Sequence, residues 1–396
     1  MQHLSARVKG ISPSPTLTID AKTKQMIQEG RDVLNFSAGE PDFDTPVHVK
    51  AAAIEAINQG YTKYTPAAGA LDLRQAICDK LRRDNGLEYQ PNQIVVSNGG
   101  KHSLFNVYQT LCDPGDEVIL QAPYWVSYPE MIRLVGAVPV IINSTAEQGF
   151  KLTPAQIEER LTPRTRAITL NSPSNPTGAV YTPAELEAIA RLAVKHDLYI
   201  ISDEIYEKMV YDGVEQRSIA SFGPEVKART ITVNGMSKAF AMTGWRIGYT
   251  ATEKYIADAM AALQGQTTSN PSSISQKASV AGLHGPADFI NRMVGEFKRR
   301  RDYIVSRLEA LPGIKVNVPK GAFYVFPNVS GLFGKTIRGR KIDSSDTLCQ
   351  VLLEEALVAV VPGTGFGAPE HVRLSYATSM EKIKSGMDRL GAALAG

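Results

Sequence analysis

Short runs rich in Ile and Val recur through the middle of this chain, and amphipathic stretches separate them. QIVVSN, EVILQAP, VPVIIN, RAITLNS, LYIISDE and RTITVNG follow one another between residues 93 and 235. Their apolar character is continuous rather than alternating, as in strands buried on both faces. Stretches such as PAELEAIARLAVKHD lie between several of them. That rhythm calls for a mostly parallel sheet with helices packed over it.

The flanks differ. Residues 1–17 are polar and Pro/Ser-rich and read as an arm, and TIDAKTKQMIQEG reads as a helix closed by Gly30. DVLNFSAGEPDFDTP passes from a short apolar run into a turn-rich loop. After about residue 290 come a long charged helix at FINRMVGEFKRRRDYIVSRLEAL and an apolar run at KGAFYVFPNV. A basic insertion at FGKTIRGRKID (334–342 at its centre), a helix at SSDTLCQVLLEEA and a strand at HVRLSYA follow. We expect an arm (1–17), the first part of a small domain (18–47), a large domain (48–290) and the rest of the small α+β domain (291–396).

Composition removes several classes. Lys and Arg total 43 against 40 Asp and Glu, a net charge of +3 that supplies no phosphate-backbone footprint for nucleic acid. No run of about 20 apolar residues offers a membrane span, and the N-terminus lacks the apolar segment of a secretion signal. Cys78, Cys112 and Cys349 are far apart and show no zinc or disulfide spacing. The reading is a cytoplasmic protein without a metal, its cysteines buried in a reducing compartment.

In open α/β sheets ligands gather beyond the carboxyl ends of the strands, so the loops there carry the functional argument. SNGGKHSLFNV places Gly99 and Gly100 between a strand and a helix, where backbone amides suit a phosphate; an ordinary turn reads the same way. Trp125 in APYWVSYPEM can stack on a planar ligand or simply pack. Asn175 in NSPSNPTGAV can hold a ring oxygen. Asp203 in SDEIYEKM can pair with a cation or cap a helix, and Tyr206 lies close behind it. NGMSKAFAMTGWRIGY sets Lys238 and Arg246 among small and apolar residues. A lysine in an apolar crevice has a depressed pKa and becomes an amine nucleophile.

In this order, and with SAGEPDFDTP, YTKYTPAAG and VRLSYA around them, these motifs resemble the fold-type I pyridoxal-phosphate aminotransferases, in the class I aspartate aminotransferase group. The resemblance runs over nearly the whole chain. It implies a seven-stranded, mostly parallel sheet with helices on both faces, plus a smaller α+β domain. It also implies pyridoxal 5'-phosphate (PLP) as cofactor. Lys238 matches the lysine that holds it as a Schiff base and later moves the proton. Asp203 matches the carboxylate facing the pyridine nitrogen, Tyr206 and Asn175 the contacts to the phenolic oxygen, and Trp125 the aromatic over the ring. Gly100, Lys101 and Arg246 match the phosphate site, and Tyr64 the tyrosine lent to the neighbouring subunit, which implies a homodimer. Arg373, helped by the Gly39 backbone, matches the clamp on the substrate α-carboxylate, beside Trp125 and Asn175.

Two departures follow. Many relatives carry a phosphate-binding serine where Gly235 stands, and ALQGQTTSNPSSISQ lacks the arginine that receives the distal carboxylate in the animal and enteric members. The chain is similar instead to a bacterial subgroup in which Lys101, Ser14 and Thr16 take that role; a solvated Lys101 and a merely packed arm are the plain alternative. The implied reaction is reversible, ping-pong transfer of an amino group between L-aspartate and 2-oxoglutarate, extending in some relatives to prephenate. The substrates would be small dicarboxylic amino acids and 2-oxo acids. An aromatic or alanine aminotransferase, a carbon–sulfur lyase, or a non-catalytic regulatory domain are the rival readings. No glycine fingerprint supports a dehydrogenase.

Overall fold

The computed structural model describes residues 4–395. Its centre is a seven-stranded sheet. In chain order the strands are β1 (Ile94–Ser97), β2 (Glu117–Ala122), β3 (Val138–Asn143), β4 (Thr165–Asn171), β5 (Tyr199–Asp203), β6 (Thr230–Gly235) and β7 (Gly248–Ala251). They lie in the order β1-β7-β6-β5-β4-β2-β3, and every pairing is parallel except the two made by β7. The apolar runs are these strands. β7 was not legible as one of them: GYTA is short and carries Gly and Thr where the others carry Ile and Val.

Continuous apolarity follows from burial on both faces. Ile119, Ile168 and Ile200 pack with helix Pro183–Lys195. Their neighbours Val118, Ala167 and Ile201 pack the other way, against helices Gly100–Leu111 and Lys254–Thr267. Successive strand residues point to opposite faces, so each face needs its own helix layer. Register then aligns the strand ends: Asn171 pairs with Asp203 across β4 and β5, and Asp203 with Val233 across β5 and β6.

A second core gathers the C-terminal third. Strands Tyr324–Val325, Val361–Pro362 and Val372–Ser375 form an antiparallel sheet with Val372–Ser375 in the middle. The long helix Asp288–Glu309 packs there through Met293, Phe297, Ile304 and Leu308. Leu34–Asn35 pairs in parallel with Val358–Ala359, so the segment before the large sheet joins this later core.

The first long helix starts at Pro15, earlier than the apolar pattern indicates, because Ser14 holds an extended N-cap conformation and proline suits the first helical position. A further helical turn, Ala6–Lys9, interrupts the expected arm. FGKTIRGRKID forms a hairpin, Thr336–Ile337 against Arg340–Lys341, tied down by buried Ile337 and Ile342.

Candidate active site

The carboxyl ends of β1 and of β4 to β6 open into a cleft of about 450 Å³ between the two cores. Lys238 enters it from the turn after β6. Its Nζ donates to the Gly39 carbonyl and sits 5.7 Å from the ring centres of both Tyr206 and Phe323. Burial pushes its pKa down to about 8; Arg373 and Arg246 act the same way, while Glu40 and Asp203 oppose them. An amine near 8 is free base often enough at neutral pH to act as a nucleophile.

Asp203 ends β5 and is 5% exposed. Its carboxylate accepts from the Tyr128 hydroxyl at 2.6 Å and the Ile205 N–H at 3.2 Å. Burial raises its pKa to about 6 against those bonds. Beside it, Asn171 donates to the Asp203 carbonyl at 3.0 Å and accepts the Asn175 N–H at 2.8 Å, which fixes the loop carrying Asn175. Tyr206 is buried, and its hydroxyl meets that of Tyr324 at 2.9 Å.

Arg373 comes from the other sheet and is 1% exposed. It donates to Asn175 Oδ1 at 3.0 Å and to the Ser37 carbonyl at 2.8 Å, over the rings of Tyr324 and Phe366. Its Nε has no partner. Both acceptors are neutral, so a buried cation faces the cleft without a counter-charge.

The glycine turn forms the far wall. Gly99 has φ 89° and caps helix Gly100–Leu111. A Cβ there would lie 2.3 Å from Arg246 Nη2, so only glycine lets the guanidinium lie on the backbone. Arg246 in turn donates to the carbonyls of Thr243 at 2.7 Å and Asn98 at 3.2 Å. The amides of Gly100 and Lys101 begin the helix and have no intrahelical acceptor. Gly235 now has a steric reason: a side chain would stand 2.7 Å from the Ile247 carbonyl and 2.9 Å from Gly248 Cα. A serine does not fit this spacing.

Lys101, Trp125, Ser14 and Thr16 line the same cleft. The Lys101 ammonium lies 5.0 Å from the Trp125 ring centre; burial, then the Arg246 charge, lowers its pKa. Thr16 Oγ1 is buried without a partner. Tyr64 stands apart, 90% exposed and outside the lining. Sequence reading overlooked Tyr128, Tyr324, Ser37 and Asn171. Asn171 was signalled by its place at a strand end, whereas Tyr324 carries no local sign of its role.

The donor set suits a small planar aldehyde bearing a phosphate: a depressed amine, a buried carboxylate, a side-chain-free cradle of amides with an arginine, and an aromatic wall. Comparison with known proteins agrees. Residues 31–390 match the family model for aminotransferase class I and II. The chain is 50% identical to the aspartate aminotransferase of Bacillus sp. strain YM-2 over 387 residues, 98% of each chain. It is 46% identical to the aspartate/prephenate aminotransferase of Cereibacter sphaeroides over 398 residues, all of both chains. The crystal structure of the Rhizobium meliloti aspartate aminotransferase superposes with a TM-score of 0.96 at 45% identity, covering 100% of this chain and 99% of that one. The Thermus thermophilus aspartate aminotransferase with maleate gives 0.94 at 46% identity over the whole of both chains. Likeness of this extent, in sequence and in fold, makes the chain a member of the class I and II aminotransferases, in the aspartate aminotransferase group of fold-type I pyridoxal-phosphate enzymes.

Proposed function

We propose that the chain is an aspartate aminotransferase, exchanging the amino group of L-aspartate with 2-oxoglutarate in two half-reactions at one site. The observation that carries this is the charge of the cleft: Lys24, Lys101, Lys238, Arg246 and Arg373 line it against Asp20, Glu40 and Asp203, and Arg373 is held by neutral oxygens alone. A substrate with two carboxylates meets that imbalance. One relative's structure is described with maleate, itself a dicarboxylate.

When bound, PLP supplies a conjugated ring that accepts the electron pair released at the substrate α-carbon. The residues of the chain do the rest. Lys238 Nζ would anchor the cofactor and would carry the proton to and from the substrate α-carbon. Asp203 as an anion would face the ring nitrogen and keep it protonated. Tyr206 and Asn175 would bond the phenolic oxygen, and Trp125 would restrain the ring face. The Gly100 and Lys101 amides with Arg246 would hold the phosphate. Arg373 grips the α-carboxylate with two charge-assisted bonds, assisted by the Gly39 backbone. Lys101, Ser14 and Thr16 receive the distal carboxylate; the orphaned Thr16 hydroxyl supports this.

The working unit is a homodimer in which Tyr64 reaches the partner's phosphate site. Its exposure supports this, as does the apolar surface left open by Val47, Ile54, Ile57 and Leu71. A cytoplasmic setting is supported by three unpaired thiols; among the described residues no helix is long and apolar enough to cross a membrane. We retain the domain division at residues 17, 47 and 290, with movement of the smaller part closing the cleft.

Borohydride reduction of the PLP-loaded protein, followed by peptide mapping, tests the anchor: the label belongs on Lys238. A single-turnover panel of amino acids tests the substrate. Aspartate and glutamate should discharge the cofactor band and neutral aliphatic donors should not. Relative kcat/KM for oxaloacetate and prephenate, with glutamate as donor, decides whether the chain shares the wider range in the Cereibacter relative's name.

A further inference from the structure

Tyr128 is buried at 2% exposure on the first turn of helix Ser127–Leu134, one turn beyond Trp125. Its amide donates to the Trp125 carbonyl at 3.0 Å, and its ring meets the Trp125 ring edge-on, 5.2 Å between centres at 85°. Its hydroxyl ends on Asp203 Oδ2 at 2.6 Å. One side chain therefore touches both the aromatic wall of the cleft and its deepest carboxylate.

The bond has a direction. A phenol donates more strongly to a carboxylate anion than to the neutral acid, so the contact favours the charged form. Burial, then the neighbouring Asp203 charge, pushes the Tyr128 phenol well above its ordinary value, so it stays a donor throughout the neutral range. The other carboxylate oxygen accepts the Ile205 N–H. Both oxygens of Asp203 are thus oriented by the protein, one by backbone and one by Tyr128.

Building on the reading of Asp203 as the partner of the ring nitrogen, we propose that Tyr128 is a positioning residue. It holds Asp203 ionised and correctly turned, and it sets the angle of Trp125, so that a single side chain aligns the two groups that bracket the cofactor ring. A purely packing tyrosine would need neither the charged partner nor the hydroxyl.

Tyr128→Phe tests this, since the ring volume and the Trp125 contact are preserved and only the donor is removed. PLP affinity, measured by equilibrium dialysis as a function of pH, should weaken about tenfold at neutral pH, the effect of one lost bond to a charged group. The fall in affinity on acidification should also begin at higher pH than in the wild type. kcat for aspartate should drop with KM nearly unchanged. In an Asp203→Asn background the same substitution should change PLP affinity less than about twofold, because the coupling is removed. A Tyr128→Phe protein with a lower Tm but wild-type affinity, pH dependence and kcat overturns the proposal and leaves the Asp203 reading intact. PLP affinity left unchanged by Asp203→Asn alone, with Tyr128 intact, overturns both.

Discussion

Among the described residues Arg300, Arg301 and Arg373 are buried, and the two deepest, Arg301 and Arg373, are held differently. Arg301, on the long helix, makes a two-pronged contact with Asp212 at 2.8 and 3.0 Å, bonds the Pro319 carbonyl and meets Asp302. Arg373 has only the neutral oxygens of Asn175 and Ser37 and an orphaned Nε. Both lie over aromatic faces, Tyr211 at 5.0 Å and Tyr324 at 4.5 Å. Burial lowers the pKa of each, but at Arg301 the carboxylates outweigh it and the net direction is up, whereas at Arg373 it stays down. A buried charge closed on its partner belongs to the architecture. One left open, at the cost of desolvation, is held ready for a ligand.

The contrast can be tested by separating activity from stability. Lys238→Ala should lower kcat on the order of 10⁴-fold or more, since it removes both the anchor and the proton carrier; single-turnover absorbance measures this. Arg373→Met should lower kcat/KM for aspartate about 10³-fold, two charge-assisted bonds of about 2 kcal/mol each, with Tm unchanged or raised.

Arg301→Met should do the reverse. It breaks a buried pair whose carboxylate is partly solvated, so the loss belongs at the lower end of the range, about 3 kcal/mol. Kinetic constants per folded molecule should stay as they were, and urea unfolding gives the stability change. If Arg373→Met instead destabilised the fold and left kcat/KM alone, the distinction between the two arginines would collapse.

Asp203 sharpens the point through pH. Its folded pKa of about 6 lies above the ordinary 3.8, so the unfolded chain is the stronger acid. The penalty is absent below about pH 4, grows between those values and is complete above about 6. Asp203→Asn should therefore stabilise the cofactor-free protein by roughly 2–3 kcal/mol at pH 7.5 and by little at pH 4, as read by denaturant titration at both pH values. The smallest effect is expected at Lys101. Lys101→Gln should raise KM for aspartate roughly fivefold, the worth of one partly solvated ion pair, and leave kcat nearly unchanged.

Much of the site was legible because it is local. Asp203, Lys238, Asn175 and the glycine turn each follow directly on an apolar strand, and parallel strands bring their carboxyl ends to one edge. Arg373 was reached by resemblance alone; nothing in HVRLSYA marks it as a cation without a counter-charge. Tyr128 was missed because its helix turn reads as ordinary packing. β7 was missed because a Gly/Thr strand lacks the apolar signal; its Gly248 is required by close packing, since a Cβ there would lie 2.3 Å from the Gly100 nitrogen.

By itself the sequence determined the strand–helix rhythm, the edge of the sheet where chemistry collects and the side chains placed there, because periodicity and chain neighbourhood are written residue by residue. Only the tertiary structure decided which charges are left open. It brings Arg373 onto Asn175 across 198 residues of chain, closes Arg301 on Asp212, and denies Gly235 a side chain. Burial, counter-charge and free space are properties of packed neighbours, and no spacing along the chain records them.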